Sequence, residues 1–372
     1  VTYLDHAAST PVRAEAVAAM LPFLTERYGN PSGAHAMARD ARNALDDARV
    51  TLADALGCEP GEVVFTSGGT EADNTAVFSA RDRGMVVCSA IEHHAVLEPV
   101  QRIGGRVVKV VPSGELDLDA LAAALDDSVA FVSVMLANNE IGAIQPLAAI
   151  ADLVREHAPR AVLHTDAVQA FPWLDVAALA EPVDLVSISA HKFGGPKGVG
   201  VLVVRDGVAF TPRQVGGGQE RERRSGTQNV AGIVAMAEAA RLTVEERKTV
   251  IDRVTPMRDR LADGLLATVP GTFESGDRAR KVAGNCHVCF DGIESEALLF
   301  LLEQHGVMAS AAASCASGAQ DPSHVLAALG VARDLAQGSV RLSLGVTTTD
   351  DDVDLALAVI PPAVARLRER GS

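Results

Sequence analysis

The chain has 372 residues, 48% of them apolar and 22% charged, with a formal net charge of -15. That balance excludes a disordered chain, no apolar run is long and uninterrupted enough for a membrane helix, and the length calls for one large and one smaller domain. So acidic a surface repels phosphates, so direct nucleic-acid binding is not expected.

The N-terminal run Val1-Thr2-Tyr3-Leu4-Asp5-His6 has neither the basic stretch nor the apolar core of a secretory signal, which predicts a cytoplasmic protein whose five cysteines are thiols. Apolar runs then recur at 62–66, 85–88, 106–111, 129–134, 161–164 and 184–188, each read as a strand. Amphipathic stretches such as 118–125 and 147–157 follow them. This β/α alternation predicts an α/β fold with a doubly wound, mainly parallel sheet, whose ligands gather at the carboxyl ends of the strands. From about residue 250 the pattern changes to a long helix over 250–268, short strand-like runs and a final helix over 350–370. The expected division is a large domain over 14–249 and a smaller α+β domain made of 1–13 with 250–372. Gly216-Gly217-Gly218 is too short for a linker and reads as a loop with close backbone contacts.

The residues with chemical potential sit at the ends of these strands. Lys192 lies just past one, in Ser189-Ala190-His191-Lys192-Phe193-Gly194-Gly195. Burial there favours the neutral amine that Schiff-base chemistry requires, although a lysine taken alone is more often an exposed loop residue. One β/α unit upstream, His164-Thr165-Asp166-Ala167-Val168-Gln169 ends a strand with a carboxylate. Alone, Asp166 could equally be a helix N-cap; with Lys192 downstream it reads as the acid that keeps the pyridine nitrogen of pyridoxal 5'-phosphate protonated. Phosphate binding calls for backbone N–H groups at a helix start, which Thr66-Ser67-Gly68-Gly69-Thr70-Glu71 supplies. The dinucleotide glycine pattern and the Walker lysine are both missing, which argues against nucleotide folds. In Glu92-His93-His94 an imidazole could stack on a flat ring and shuttle protons, against the plainer reading of a satisfied loop histidine.

Cys315 lies among small residues, Ala311-Ala312-Ala313-Ser314-Cys315-Ala316-Ser317-Gly318, with little to anchor it in a core, so an accessible thiol is expected. Cys58, Cys88, Cys286 and Cys289 fall in or beside predicted elements and read as structural. Cys286-His287-Val288-Cys289 has metal-like spacing but no second pair, and adjacent His93 and His94 seldom meet one centre, so no metal site is expected.

With these residues in view, the chain resembles the class V aminotransferase-like cysteine desulfurases of the NifS/IscS-type branch. The resemblance runs essentially end to end, through Tyr3-Leu4-Asp5-His6-Ala7-Ala8, Gly29-Asn30-Pro31-Ser32, 66–74, Glu92-His93, Asn138-Asn139-Glu140-Ile141-Gly142, 164–169, 189–198, 216–227 and Arg341-Leu342-Ser343-Leu344-Gly345. It implies a pyridoxal-phosphate-dependent transferase fold of the aspartate aminotransferase type, working as a homodimer with active sites near the subunit interface. Position by position, Lys192 resembles the Schiff-base lysine, Asp166 the pyridinium partner and His93 the ring-stacking, catalytic histidine. Gln169 would face the phenolic oxygen. Gly69, Thr70, Ser189 and His191 would form the phosphate cradle, with Thr227 from the other subunit. Asn139 and Arg341 are similar to the grip on the substrate carboxylate, a task that suits a planar guanidinium.

The activity so implied is removal of sulfur from L-cysteine, giving L-alanine and a persulfide on Cys315 for delivery to a sulfur-acceptor protein. Iron–sulfur cluster assembly, tRNA thiolation and DNA phosphorothioation all begin with such a persulfide, and the sequence leaves the choice open. A lyase or plain aminotransferase on the same fold would need Lys192 and Asp166 but not Cys315. A non-catalytic relay subunit would need none of the cofactor set.

Overall fold

The computed structural model of the chain describes residues 1–311 and 323–371; Cys315 lies outside them. In chain order the strands are β1 (Thr2–Tyr3), β2 (Val63–Thr66), β3 (Met85–Ser89), β4 (Arg106–Val108), β5 (Val129–Ser133), β6 (Val162–Asp166), β7 (Leu185–Ser189), β8 (Gly200–Val204), β9 (Thr272–Glu274), β10 (Asn285–Phe290), β11 (Val307–Met308) and β12 (Ser339–Ser343).

Seven of these form one sheet in the order β2-β8-β7-β6-β5-β3-β4. The strands from β7 across to β4 pair in parallel, and β8 runs antiparallel to both β7 and β2. Every residue of β2, β5, β6 and β7 is buried. Strands covered on both faces have no solvent side to alternate with, so they read as unbroken apolar runs. On one face Ala72, Ala76 and Val77 of the helix Gly69–Ser79 pack with Phe131, Leu185 and Leu202. On the other, Leu147, Ile150 and Val154 of the helix Leu147–His157 pack with Val132, Leu163 and Val186. Each such aliphatic side chain stabilises the fold by roughly 1.5–3 kcal/mol when fully buried.

Three features differ from the sequence reading. β8 was not among the expected strands: it follows β7 after only the 3-10 turn Ala190–Lys192 and the turn at 194–198, with no α-helix between, and a strand entered by so short a connection must run back antiparallel. β4 stops at Val108, and Val110 makes only an isolated bridge to Leu116. The long helix begins at Val230, not near 250, and runs to Thr268, with the Asn229 side chain capping it by accepting from the Gly232 N–H. Its first half packs into the core of the large sheet through Ile233, Met236 and Ala240, and its second half into a separate core through Val254, Leu261 and Leu265.

That second core is built on the antiparallel sheet β12-β10-β9, covered by the helices Ser295–Gln304 and Asp350–Gly371. The N-terminal segment joins it: β1 pairs in parallel with β11, and Asp5 bridges to Ser343, the last residue of β12. The chain between β1 and the helix Ala14–Thr25 therefore runs from the small sheet across to the carboxyl ends of β6 and β7, where Gln169 and Lys192 bond to its carbonyls. No helix among the described residues is long and apolar enough to cross a membrane.

Candidate active site

The carboxyl ends of β3, β5, β6 and β7 and the start of the helix Gly69–Ser79 open onto one cavity of about 460 Å³, closed on the far side by Asp5, Ala7, Ala8, Ser310 and Arg341. Gly69, Thr70, His93, Asn139, Asp166, Gln169, Ser189, His191, Lys192 and Arg341 all line it. Thr227 does not; it is exposed in the loop before the long helix.

Lys192 ends a 3-10 turn, Ala190–Lys192, that leaves β7 directly. Its Nζ donates to the carbonyls of Ala7 at 2.5 Å and Ala8 at 3.0 Å. Asp166, the last residue of β6, is buried, and its Oδ1 accepts from the Val168 N–H at 2.8 Å. Burial raises its pKa from the ordinary 3.8 to about 6, against the lowering effects of the Val168 N–H and the Lys192 charge. Two more buried acids stand behind it. Asp73 is pushed well above the usual carboxylate range by burial and by the Asp166 charge, and Glu92 by burial. Burial penalises the charged form of all three, and of the three Asp166 is the one with the Lys192 charge among the causes that lower its pKa.

His93 is the N-cap of the helix His94–Arg102, its Nδ1 accepting from the Ala95 N–H at 3.1 Å. That bond fixes the ring plane and assigns the ring proton to Nε2. Burial first, then the Lys192, His94 and His324 charges, lowers its pKa to about 4, so it is neutral at working pH. His191 is lowered to about 4 by burial and by the charges of Lys192 and Lys197, and its Nδ1 lies 3.4 Å from Ser9 Oγ.

At the opposite wall the Arg341 guanidinium is 5% exposed at its side chain and bonds to Asp5 Oδ1 at 2.8 Å and to the Asn139 carbonyl at 3.0 Å, leaving Nε without a partner among the described residues. Asp5 was not singled out as a site residue from sequence; only its membership of the Tyr3–Ala8 block hinted at it. Gln169 was expected to face a cofactor oxygen, yet its Nε2 donates to the Ala7 carbonyl at 2.6 Å. Gln169 and Lys192 thus share one backbone acceptor.

The residues present fit pyridoxal phosphate. Gly68 has φ 152°, a conformation that L side chains rarely adopt, and a Cβ at Gly69 would come within 2.9 Å of Val168 Cγ2. The turn therefore brings bare backbone to the cavity at the helix N-terminus, whose first N–H groups have no intrahelical acceptor. A phosphate cradle, a buried carboxylate at about pKa 6 and an amine on a short turn stand around one space.

The matches to known proteins agree with this geometry. Residues 2–356 match the aminotransferase class-V family. The cysteine desulfurase IscS of Methanosarcina thermophila is 43% identical over 98% of this chain and 92% of its own length. The chain belongs to the class-V aminotransferases, among the NifS/IscS-type cysteine desulfurases. The IscS-like cysteine desulfurase of Mycobacterium tuberculosis is also 43% identical, over 98% of this chain and 97% of its own. A solved NifS-like protein superposes with a TM-score of 0.91 at 36% identity, over 98% of this chain and all of its own. Cysteine desulfurases are pyridoxal-phosphate enzymes that release L-alanine from L-cysteine and keep the sulfur as an enzyme persulfide; that is the activity of this chain. They generally act as homodimers that pass sulfur to an acceptor.

Proposed function

We propose that Lys192 carries the pyridoxal phosphate of this desulfurase and that Cys315 receives the sulfur. The carrying observation is the meeting of Lys192, Asp166, His93 and the Gly68-Gly69 turn around one cavity whose other wall is Arg341. When bound, the cofactor supplies a protonated ring that takes up the electrons released at the substrate's Cα. Asp166 would keep the ring nitrogen protonated, and the neutral imidazole of His93 and the side chain of Gln169 would help hold the ring. The N–H groups of Gly69 and Thr70, with the side chains of Thr70, Ser189 and His191, would hold the phosphate. Thr227, exposed in its own chain, is assigned to the neighbouring subunit of a homodimer.

L-Cysteine enters with its carboxylate against Arg341 and Asn139. Lys192 Nζ takes the Cα proton and returns it, a kind of positioned proton transfer that usually contributes about 10²- to 10⁴-fold. The Cys315 thiolate attacks the substrate sulfur; the S–S bond forms as the C–S bond breaks, its electron pair staying with the carbon fragment, which takes a proton and leaves as L-alanine. The other cysteines support this assignment. Burial raises Cys58 and Cys286 to about 12 and Cys289 to about 11, and raises Cys88 further, so all four are thiols at neutral pH and poor nucleophiles. We assign residues 14–249 to a large cofactor-binding domain and 1–13 with 250–372 to a small domain carrying Cys315; the separate cores on the two sheets support this division.

Borohydride reduction of the purified holoenzyme followed by peptide mapping tests the assignment. The phosphopyridoxyl label is expected on the peptide containing Lys192; label on another lysine overturns it.

A further inference from the structure

Behind the Lys192 turn lies a second cavity, of about 240 Å³, between the N-terminal segment, the middle of the long helix and the backbone that follows β12. It touches the active site only through Ala7, Gln169 and Lys192, and the desulfurase reaction uses nothing else in it. Its walls are mainly apolar, with Trp173 and Phe193 as aromatic faces; a Cβ at Gly284 would come within 2.3 Å of Trp173 Cζ2, so backbone presses directly on the indole.

Three side chains of this lining keep a buried polar atom without a hydrogen bond to the described residues. Both ring nitrogens of His6 lack a hydrogen bond of good geometry, although the Tyr3 backbone approaches the ring, and His6 is 5% exposed. Asn285 Oδ1 has no partner and that residue is 3% exposed; its Nδ2 is already committed to the Glu140 carbonyl. The half-buried Arg247 has an unbonded Nε, one bond at 3.3 Å to the Phe171 carbonyl, a contact with the Phe171 ring at 5.7 Å, and no carboxylate within ion-pair distance among the described residues, the Asp175 charge acting only from farther off. Glu246, the carboxylate of the lining, is neutralised by Arg13 at 2.7 Å. Buried polar groups left unmade are costly, and a guanidinium with no ion-paired carboxylate in an apolar, aromatic-walled cavity is complementary to an anion carried on a flat ring.

We infer that this cavity is a binding site for a small aromatic carboxylate, its ring between Trp173 and Phe193 and its carboxylate on Arg247. Occupancy reaches the active site through the Ala7 carbonyl, which accepts from both Lys192 and Gln169.

Trp173 is the only tryptophan in the chain, so the tryptophan fluorescence comes from a wall of this cavity. The holoenzyme is titrated with benzoate, with benzyl alcohol as the uncharged control, in the wild type, in Arg247→Leu and in Thr347→Phe, whose new ring would plug the cavity from an exposed rim position. The expected result is a saturable change with benzoate, at least ten-fold weaker binding in Arg247→Leu, loss of the response in Thr347→Phe, and no displacement by L-alanine. Three results would overturn the inference: no saturable response, equal affinity for benzyl alcohol, or displacement by L-alanine, which would put the carboxylate on Arg341. If Arg247→Leu does not fold, an unchanged response in Thr347→Phe overturns it by itself.

Discussion

Arg341 in β12 and Asp5 in the segment after β1 form an ion pair at 2.8 Å on the wall of the active site, both side chains held by the small sheet. The pair aims the guanidinium without using all of it, since Nε stays open. Replacing Asp5 by Asn keeps a hydrogen-bond acceptor but removes the charge that fixes the fork. The KM for L-cysteine is expected to rise roughly ten-fold with kcat little changed, and further in Arg341→Lys, where the planar fork is lost. A fall in kcat at unchanged KM would contradict a role in holding the substrate carboxylate.

Asp166 makes the cofactor-free protein sensitive to base. Its pKa is raised to about 6 from 3.8, so below the lower value the group contributes nothing. As the pH climbs through that window the unfolded chain ionises first, and above it the folded state carries the cost of a buried charge. Cofactor-free Asp166→Asn should therefore melt higher than the cofactor-free wild type near about pH 8, with the gap closing toward about pH 4. The same variant should lose activity in the loaded enzyme. A gap that did not change with pH would contradict the burial argument.

The buried histidines act at the other end of the scale. Burial is the leading cause that lowers His6 and His93 to about 4 and His164 and His287 to about 3, all below the ordinary 6.5. Above 6.5 both states are neutral; as the pH falls toward the folded values the unfolded chain takes up protons first, so stability is lost on acidification. The contribution of these histidines to the urea midpoint should fall between about pH 6.5 and about pH 4. In His287→Gln, which can keep a bond to Ser275 Oγ, the fall should be shallower.

Much of this arrangement was legible in the sequence, for identifiable reasons. β2, β5, β6 and β7 are buried on both faces, so their apolar runs are continuous and their carboxyl ends, with Asp166 and Lys192, follow from the pattern. The first half of the long helix escaped because Val230-Ala231-Gly232-Ile233-Val234-Ala235-Met236-Ala237 is apolar all round and shows no amphipathic stripe. β8 was hidden behind a glycine turn. Asp5 gave no local sign, since its partner lies 336 residues away. The tether of Lys192 and Gln169 to Ala7 uses a backbone carbonyl, which no side-chain pattern can announce.

Glu220 straps the loop before the long helix to the large sheet. It sits at φ 49°, a left-handed conformation, with a carboxylate that accepts from both terminal nitrogens of Arg49 at 3.0 Å and from the Phe65 N–H at 3.0 Å. Both side chains are buried, so Glu220→Ala would strand a guanidinium and should cost about 3–5 kcal/mol by chemical denaturation. Replacing both residues by leucine should cost less than the single change. Equal costs would mean that the backbone strain, and not the stranded charge, dominates.

The most direct test of the account follows L-alanine and sulfide release from L-cysteine under reductant in the wild type and in Cys315→Ser, with the visible absorbance of the bound cofactor recorded for both. The account predicts that Cys315→Ser keeps the absorbance of the wild type and releases neither product. A variant that turns over L-cysteine as the wild type does would show that Cys315 takes no part in the reaction.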